Sequence, residues 1–217
     1  MTHSFDSEYW DQIWHGDRAA SMAASQPNPH LIQEVGDLTT GTAIDAGCGA
    51  GAEAIWLATH GWQVTAADIA TEALARAAER ADASGVAGQV QWIQADLSTW
   101  NPDTRYDLVT THYAHPAMPQ LEFYDRIATW VAPGGTLLIV GHLHHDAAGR
   151  DGHNHGDEQS GDGPPASASA TAAAITARLD PAVWEVVTAQ ESHRTLPGDG
   201  GHEVTLYDVV VRATRRP

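Results

Sequence analysis

The chain has 217 residues and sets 28 acidic side chains against 11 arginines, with no lysine, so its formal charge is -17 and its sequence pI is near 4.9. Without lysine there is no Schiff base, no lysine gripping a nucleotide triphosphate and no lysine-assisted tyrosine, and the acidic balance points away from nucleic acid and other polyanions. A chain this long buries about 70% of its unfolded surface, enough for one core, and no linker divides it into halves that fold alone, so residues 1–217 are expected to form a single domain. The lone Cys48 excludes a disulfide framework. A polar, acidic start and the lack of any apolar run of about 18 residues point to the cytoplasm, with no membrane partner.

Residues 5–14 carry Tyr9, Trp10, Ile13 and Trp14 at helical spacing, and a second helix, residues 29–38, follows Pro27-Asn28-Pro29; residues 1–40 therefore read as a helical cap. From residue 42 short apolar runs alternate with helical patterns, as a parallel sheet with crossover helices requires. Strands are expected at 43–45, 63–68, 90–95, 106–111 and 136–141. A helix is expected at 70–83, with Leu74, Ala77, Ala78 and Ala81 on one side. Pro133-Gly134-Gly135 reads as a turn that stops the preceding helix, and the apolar run after it suits a strand covered on both faces. Residues 142–165 are rich in glycine, histidine and acid and read as a flexible loop, followed by an alanine-rich helix at 167–179. Residues 184–188 and 204–212 are strand-like, with a Pro-Gly-Asp-Gly-Gly loop and no room for a helix between them, so they should pair antiparallel.

The first strand ends in Ile44-Asp45-Ala46-Gly47-Cys48-Gly49-Ala50-Gly51, and glycines there let backbone approach a ligand. Gly47-x-Gly49-x-x-Ala52, with Asp68 further on, also satisfies a dinucleotide fingerprint, so an NAD(P)-dependent oxidoreductase is an alternative. Asp45 favours a ligand with an ammonium group over a pyrophosphate.

With these motifs the chain resembles the class I S-adenosyl-L-methionine-dependent methyltransferases, whose first strand ends in an Asp-x-Gly-x-Gly-x-Gly motif matched by Asp45, Gly47, Gly49 and Gly51. The resemblance covers residues 28–217. It implies an α/β, Rossmann-like, doubly wound seven-stranded sheet, mostly parallel with an antiparallel C-terminal strand and helices on both faces. It implies S-adenosyl-L-methionine as cofactor and S-adenosyl-L-homocysteine as product. Asp45, Ala46, Gly47, Cys48 and Gly49 are then the expected cradle of the amino-acid part, Asp68 the ribose acid with Ile69 beside the adenine, and Asp96 and Leu97 the adenine edge, with Thr111 and Trp14 as further contacts. Within the superfamily the chain is most similar to small bacterial enzymes grouped with tellurite-resistance and thiopurine S-methyltransferases. That similarity rests on Tyr9-Trp10-Asp11, Pro27-Asn28-Pro29, Ala54-Ile55-Trp56-Leu57-Ala58, Gly61-Trp62-x-Val64 and Gly141-His142.

The implied activity is methyl transfer to a small-molecule acceptor, a thiol, a metalloid or a hydroxyl compound, by in-line displacement. A thiolate needs no base, whereas a phenol or alcohol does. His112, Tyr113 and His115, just past the fourth strand, are the expected catalytic residues. Tyr9, Trp10 and Trp14 are placed to cover a cation from the first helix. His142, His144, His145, His153 and His155, with Asp146, Asp151, Asp157 and Glu158, carry donors suited to zinc or nickel, which leaves a non-catalytic metal-binding protein as a further alternative. Nothing fixes those donors rigidly, so no metal is expected. A monomer or homodimer is expected.

Overall fold

In a computed structural model of the chain, residues 5–15, 22, 24–143, 168–197 and 203–217 are described. The aromatic start forms α1 (Ser7–His15), and the Pro-Asn-Pro stop leads into α2 (Pro29–Val35). Asn28 caps α2, its side chain accepting from the His30 N–H at 3.0 Å, while Pro29 supplies a fixed φ at the first helical position. Then come β1 (Thr42–Ala46), α3 (Ala52–Thr59), β2 (Gln63–Asp68), α4 (Thr71–Ala83), β3 (Val90–Gln94), β4 (Tyr106–His112), α5 (Gln120–Ala128), β5 (Val131–His142), α6 (Ala172–Thr176), β6 (Trp184–Pro197) and β7 (Glu203–Arg215). The strands form one seven-stranded sheet in the order β3-β2-β1-β4-β5-β7-β6. The pairs from β3 through β5 are parallel, and β7 runs antiparallel to both β5 and β6.

The apolar run of β5 explains its central place, because Leu137, Leu138, Ile139 and Val140 are all fully buried and successive side chains serve opposite faces. Leu137 and Ile139 join Ile44, Val109 and Val211 in a core with Phe123 and Ile127 of α5. Leu138 and Val140 join Ala43, Leu108 and Val210 against Leu31 and Val35 of α2 and Leu57 of α3. Helix α4 buries Ala73, Leu74, Ala77 and Ala81, with Ala73 taking the inner position expected of Ala78.

Three elements differ from the sequence reading. Pro133-Gly134-Gly135 lies within β5 rather than ending a helix. The β4–β5 register jumps there, Tyr106 facing Val131 but Leu108 facing Thr136, and a methyl group on Gly135 would meet three carbonyl oxygens at 2.9 to 3.0 Å. The alanine-rich helix is only five residues, capped by the Thr171 hydroxyl. The hairpin is far longer than expected, 14 and 13 residues, with a register shift between Val186 and Thr188 on the outer strand β6, where Val186 and Val187 are 42% and 50% exposed. The residues of the expected flexible loop from 144 to 165 lie outside the described residues. Among the described residues no helix is long and apolar enough to cross a membrane.

Candidate active site

The turn after β1 is built from left-handed backbone, with φ of +83° at Gly47, +50° at Gly49 and +75° at Gly51. At Gly47 the lack of a side chain is a packing requirement, since a methyl there would stand 2.3 Å from the Ala114 Cβ. The amides of Gly47 and Cys48 both donate to the Ala67 carbonyl, at 2.8 and 3.1 Å. Asp68, at the end of β2, pins the turn from the other side: one carboxylate oxygen accepts from the Gly49 N–H at 2.8 Å, the other from the Ala70 N–H at 2.9 Å. Arg80 of α4 donates to the carbonyls of Ala50 (2.8 Å) and Ser25 (2.9 Å), tying the loop to the segment before α2.

This turn forms one wall of a cavity of about 760 Å³ at the carboxyl ends of β1 to β5. Of the residues expected at a cofactor, Gly47, Cys48, Gly49, Asp68, Ile69, Asp96, Leu97 and Trp14 line it. Asp96 folds its carboxylate onto its own turn, accepting from the Ser98 N–H (2.8 Å) and hydroxyl (2.6 Å). Trp14 and Trp10 close the cavity from α1, together with Phe5. Tyr9, expected beside them, stays off the wall and packs edge-on against Phe5 and Trp10.

Asp45, Ala46 and Thr111 do not line the cavity. They are 1%, 0% and 1% exposed, because the ends of the central strands lie beneath the glycine turn, and the Thr111 hydroxyl donates to the Ala46 carbonyl at 2.8 Å. Burial first, then the nearby Glu53 and Asp68 carboxylates, hold the Asp45 carboxyl well above the usual range, and its Oδ2 has no hydrogen-bond partner among the described residues. The acid that faces the cavity from the loop side is instead Glu53, in the first turn of α3, which accepts from the Asn28 N–H at 3.0 Å. Sequence reasoning passed over it, although an acid two residues beyond the last glycine of the turn was a usable signal. Glu53 and Asp68, both pushed up by burial, give this wall an acidic character that suits a cationic ligand bearing hydroxyls and opposes a diphosphate.

The other end of the cavity is lined by His112, Tyr113, His115 and His142. Tyr113, at φ +54°, turns its hydroxyl into a fully used hub: it donates to Asp208 Oδ1 at 2.7 Å and accepts from Arg194 at 3.0 Å and Asn28 at 3.3 Å. Asp208, fully buried on β7, also pairs with the Arg194 Nε at 2.7 Å and lies 3.2 Å from the His30 Nε2. Arg194, Asp208 and His30 escaped the sequence reading. Burial drives His112 down to about 3, helped by His30, and His142 down to about 4, and lowers His115 too. Neither ring nitrogen of His112 has a partner among the described residues, nor does the Nε2 of His115. The ring of His142 stands 4.5 Å from that of Tyr113 and 5.3 Å from that of His115. Among the described residues no group of three or more His, Cys, Asp or Glu is placed to hold a metal ion.

A neutral His112 has a measurable signature. Its folded value is depressed, so the stability it carries is present above its unfolded value of about 6.5 and is lost as pH falls toward about 3. Relative to His112→Phe, the unaltered chain is expected to lose about 1.4 kcal/mol per pH unit between pH 6.5 and 5, read from urea midpoints. A pH-independent gap between the two would rule out the neutral buried imidazole.

Residues 43–135 match a family model described as a methyltransferase domain. A probable thiol methyltransferase 2 of Arabidopsis thaliana is 26% identical over 138 residues, 60% of this chain and 60% of that protein. A SAM-dependent methyltransferase from Thiobacillus denitrificans, solved in complex with S-adenosyl-L-homocysteine, superposes with a TM-score of 0.51 at 26% identity, covering 58% of this chain and 53% of that one. TehB from Haemophilus influenzae shares the fold over 97% of this chain and 67% of its own, with a TM-score of 0.67 at 15% identity. The chain spans from 32% of the length of a ribosomal RNA small subunit methyltransferase C of Alcanivorax borkumensis, 33% identical over 107 residues, to 60% of the Arabidopsis protein.

Proposed function

We propose that this chain, whose residues 43–135 match a methyltransferase-domain model, is a class I S-adenosyl-L-methionine-dependent methyltransferase and transfers a methyl group to a small-molecule acceptor, a thiol, a metalloid or a hydroxyl compound, by in-line displacement. The observation that carries this reading is the joining, in one cavity, of an acid-lined glycine turn and a chamber of neutral imidazoles. When bound, S-adenosyl-L-methionine supplies an electrophilic methyl on a sulfonium sulfur. Gly47, Cys48, Gly49 and Glu53 are the residues that would hold its amino-acid part, Asp68 the ribose, and Ile69, Asp96 and Leu97 the adenine, with Trp14 closing the wall.

His112 and His115 line the acceptor end of the cavity, the His112 ring nitrogens and the His115 Nε2 being buried without partners among the described residues, and Tyr113, whose hydroxyl is saturated, positions the chamber rather than moving a proton. Burial excludes water from the reacting atoms, which an in-line displacement needs. The formal charge of -17 favours a small acceptor over RNA, and the name of the Arabidopsis relative supports a thiol among the candidates. On this reading residues 1–217 act as one domain with residues 1–40 as its cap, in the cytoplasm, as a monomer or homodimer.

Thermal-shift titrations test it. S-adenosyl-L-homocysteine is expected to raise the melting temperature, and NAD and zinc are not, because only a ligand of the folded state does so. Asp68→Ala should weaken S-adenosyl-L-homocysteine binding about 10- to 100-fold, as expected for loss of charged hydrogen bonds of about 1.5–3 kcal/mol. A midpoint that rises with NAD and not with S-adenosyl-L-homocysteine would replace the reading with the oxidoreductase.

A further inference from the structure

We propose a second ligand site, a cleft at the end of the sheet opposite the glycine turn, where Arg105 and Arg215 hold a small phosphate monoester with an apolar body. It stands apart from the methyl-transfer reading, because none of its residues lines the larger cavity.

The cleft encloses about 490 Å³ and lies at the amino end of the central strands. Arg105 immediately precedes β4, while Trp184 opens β6 and pairs with Arg215, the last residue of β7. The chain has only 11 arginines against 28 acids, yet Arg105, Arg178 and Arg215 all line this cleft, with Asp125 as the one acid among its lining residues. Arg178 is spent on that acid, its Nε donating to both carboxylate oxygens at 2.8 Å, with Glu122 also near it. The other two guanidiniums have no carboxylate partner among the described residues. Arg215 is anchored by a neutral contact, its Nη1 donating to the Val131 carbonyl at 2.6 Å, and Arg105 has no hydrogen bond or ion pair among the described residues. Neighbouring acids are turned elsewhere. Asp107 accepts from the Thr42 N–H and hydroxyl at 2.8 and 2.9 Å, Asp180 from the Ala182 N–H at 2.9 Å, and Glu185 faces Arg216 at 3.8 Å. Asp103 is exposed and off the cleft wall.

A guanidinium carries five N–H donors in a fixed fork that matches phosphate oxygens, so two of them with donors to spare in one cleft suit a doubly charged phosphate better than a single carboxylate. Leu179 and the buried Trp184 add an apolar wall, and the volume suits a phosphate joined to one ring. The formal charge of -17 repels an anion only at long range. At about 0.15 M salt that field is screened beyond about 8 Å, which leaves the local arginines in control.

The test is phenyl phosphate titrated into the full ¹⁵N-labelled chain at about 0.15 M salt. The backbone amides of Arg105 and Leu179 and the Trp184 indole are expected to shift together and saturate, while the Gly47 and Gly49 amides stay still. Affinity should fall about tenfold in Arg105→Gln, through loss of charge-assisted hydrogen bonds, and stay unchanged in Arg76→Gln, whose arginine pairs with Glu72 on α4 outside the cleft. Arg105 is exposed and unpartnered among the described residues, so the melting temperature of Arg105→Gln should match that of the unaltered chain. Inorganic phosphate, which lacks the ring, and benzoate, which carries one charge, should each bind about tenfold more weakly than phenyl phosphate. Shifts that never saturate, shifts confined to the glycine turn, or equal losses in the two variants overturn the site. Benzoate or inorganic phosphate binding as tightly as phenyl phosphate overturns the assigned ligand class.

Discussion

Replacing Gly47 with alanine is expected to cost about 2–4 kcal/mol of stability and to reduce S-adenosyl-L-homocysteine affinity at least about 100-fold. Two effects add. An L-residue held at φ +83° gives up about 1–2 kcal/mol to clash with its own carbonyl. The new methyl also arrives 2.3 Å from the Ala114 Cβ, closer than carbon atoms approach, so one of the two backbones must shift. Ala114 has little freedom to yield, because Tyr113 before it is already left-handed and its hydroxyl is anchored to Asp208, while the Ala114 carbonyl is bonded to Gln120. The turn must move instead, and with it the Gly49 amide that Asp68 holds. Gly49→Ala is the internal control: φ there is +50° and the nearest atom to a new methyl is the edge of Trp14 at 3.2 Å, which a small tilt of α1 accommodates. Melting curves and titration calorimetry on both variants decide the matter. Equal losses at the two positions would show that the approach of Ala114 is not the controlling contact.

Asp208→Ala is the second variant with a large expected effect, about 3–5 kcal/mol of lost stability, or a fall of roughly 6–20 °C in melting temperature for a chain of this size. The carboxylate is fully buried and is the shared partner of the Tyr113 hydroxyl and the Arg194 guanidinium, with the His30 imidazole 3.2 Å away. Its removal strands a guanidinium with one remaining neutral partner and opens a gap between β7, β6 and α2. Asp208→Asn keeps the shape and one acceptor oxygen, so its loss should be smaller by more than half. Urea midpoints for the two substitutions provide the measurement. A loss under about 1 kcal/mol for alanine would mean that the network is replaced by water at little cost.

The parts of this architecture visible in the sequence are those written in local pattern. Strand β2 is legible as a short run, buried on both faces and closed by Asp68, and α4 as the spacing of Leu74, Ala77 and Ala81 on its one buried side. The glycine turn was legible because backbone at positive φ leaves a compositional trace. What escaped is long-range. Tyr113 meets Arg194 and Asp208 across 81 and 95 residues of chain, and no spacing rule joins them. Asp45 is off the cavity wall for a subtler reason: a residue number locates a strand end but not the side on which the carboxylate emerges, and it is Glu53 that lines the cavity. Pro133-Gly134-Gly135 carries the composition of a turn, yet tertiary pairing with β4 absorbs it as an irregularity within a strand.

The irregularity at Val187 bears on how the folded chain behaves in a crowded solution. An outermost strand of 14 residues with two half-exposed valines would ordinarily invite a foreign strand to zip onto it. The extra residue between Val186 and Thr188 breaks the even ladder of unused amides and carbonyls and adds local twist, so a straight intruder finds matching partners on only one side of the break. Among the described residues β6 is the outer edge of the sheet, and its bulge is expected to hinder the addition of a foreign strand there.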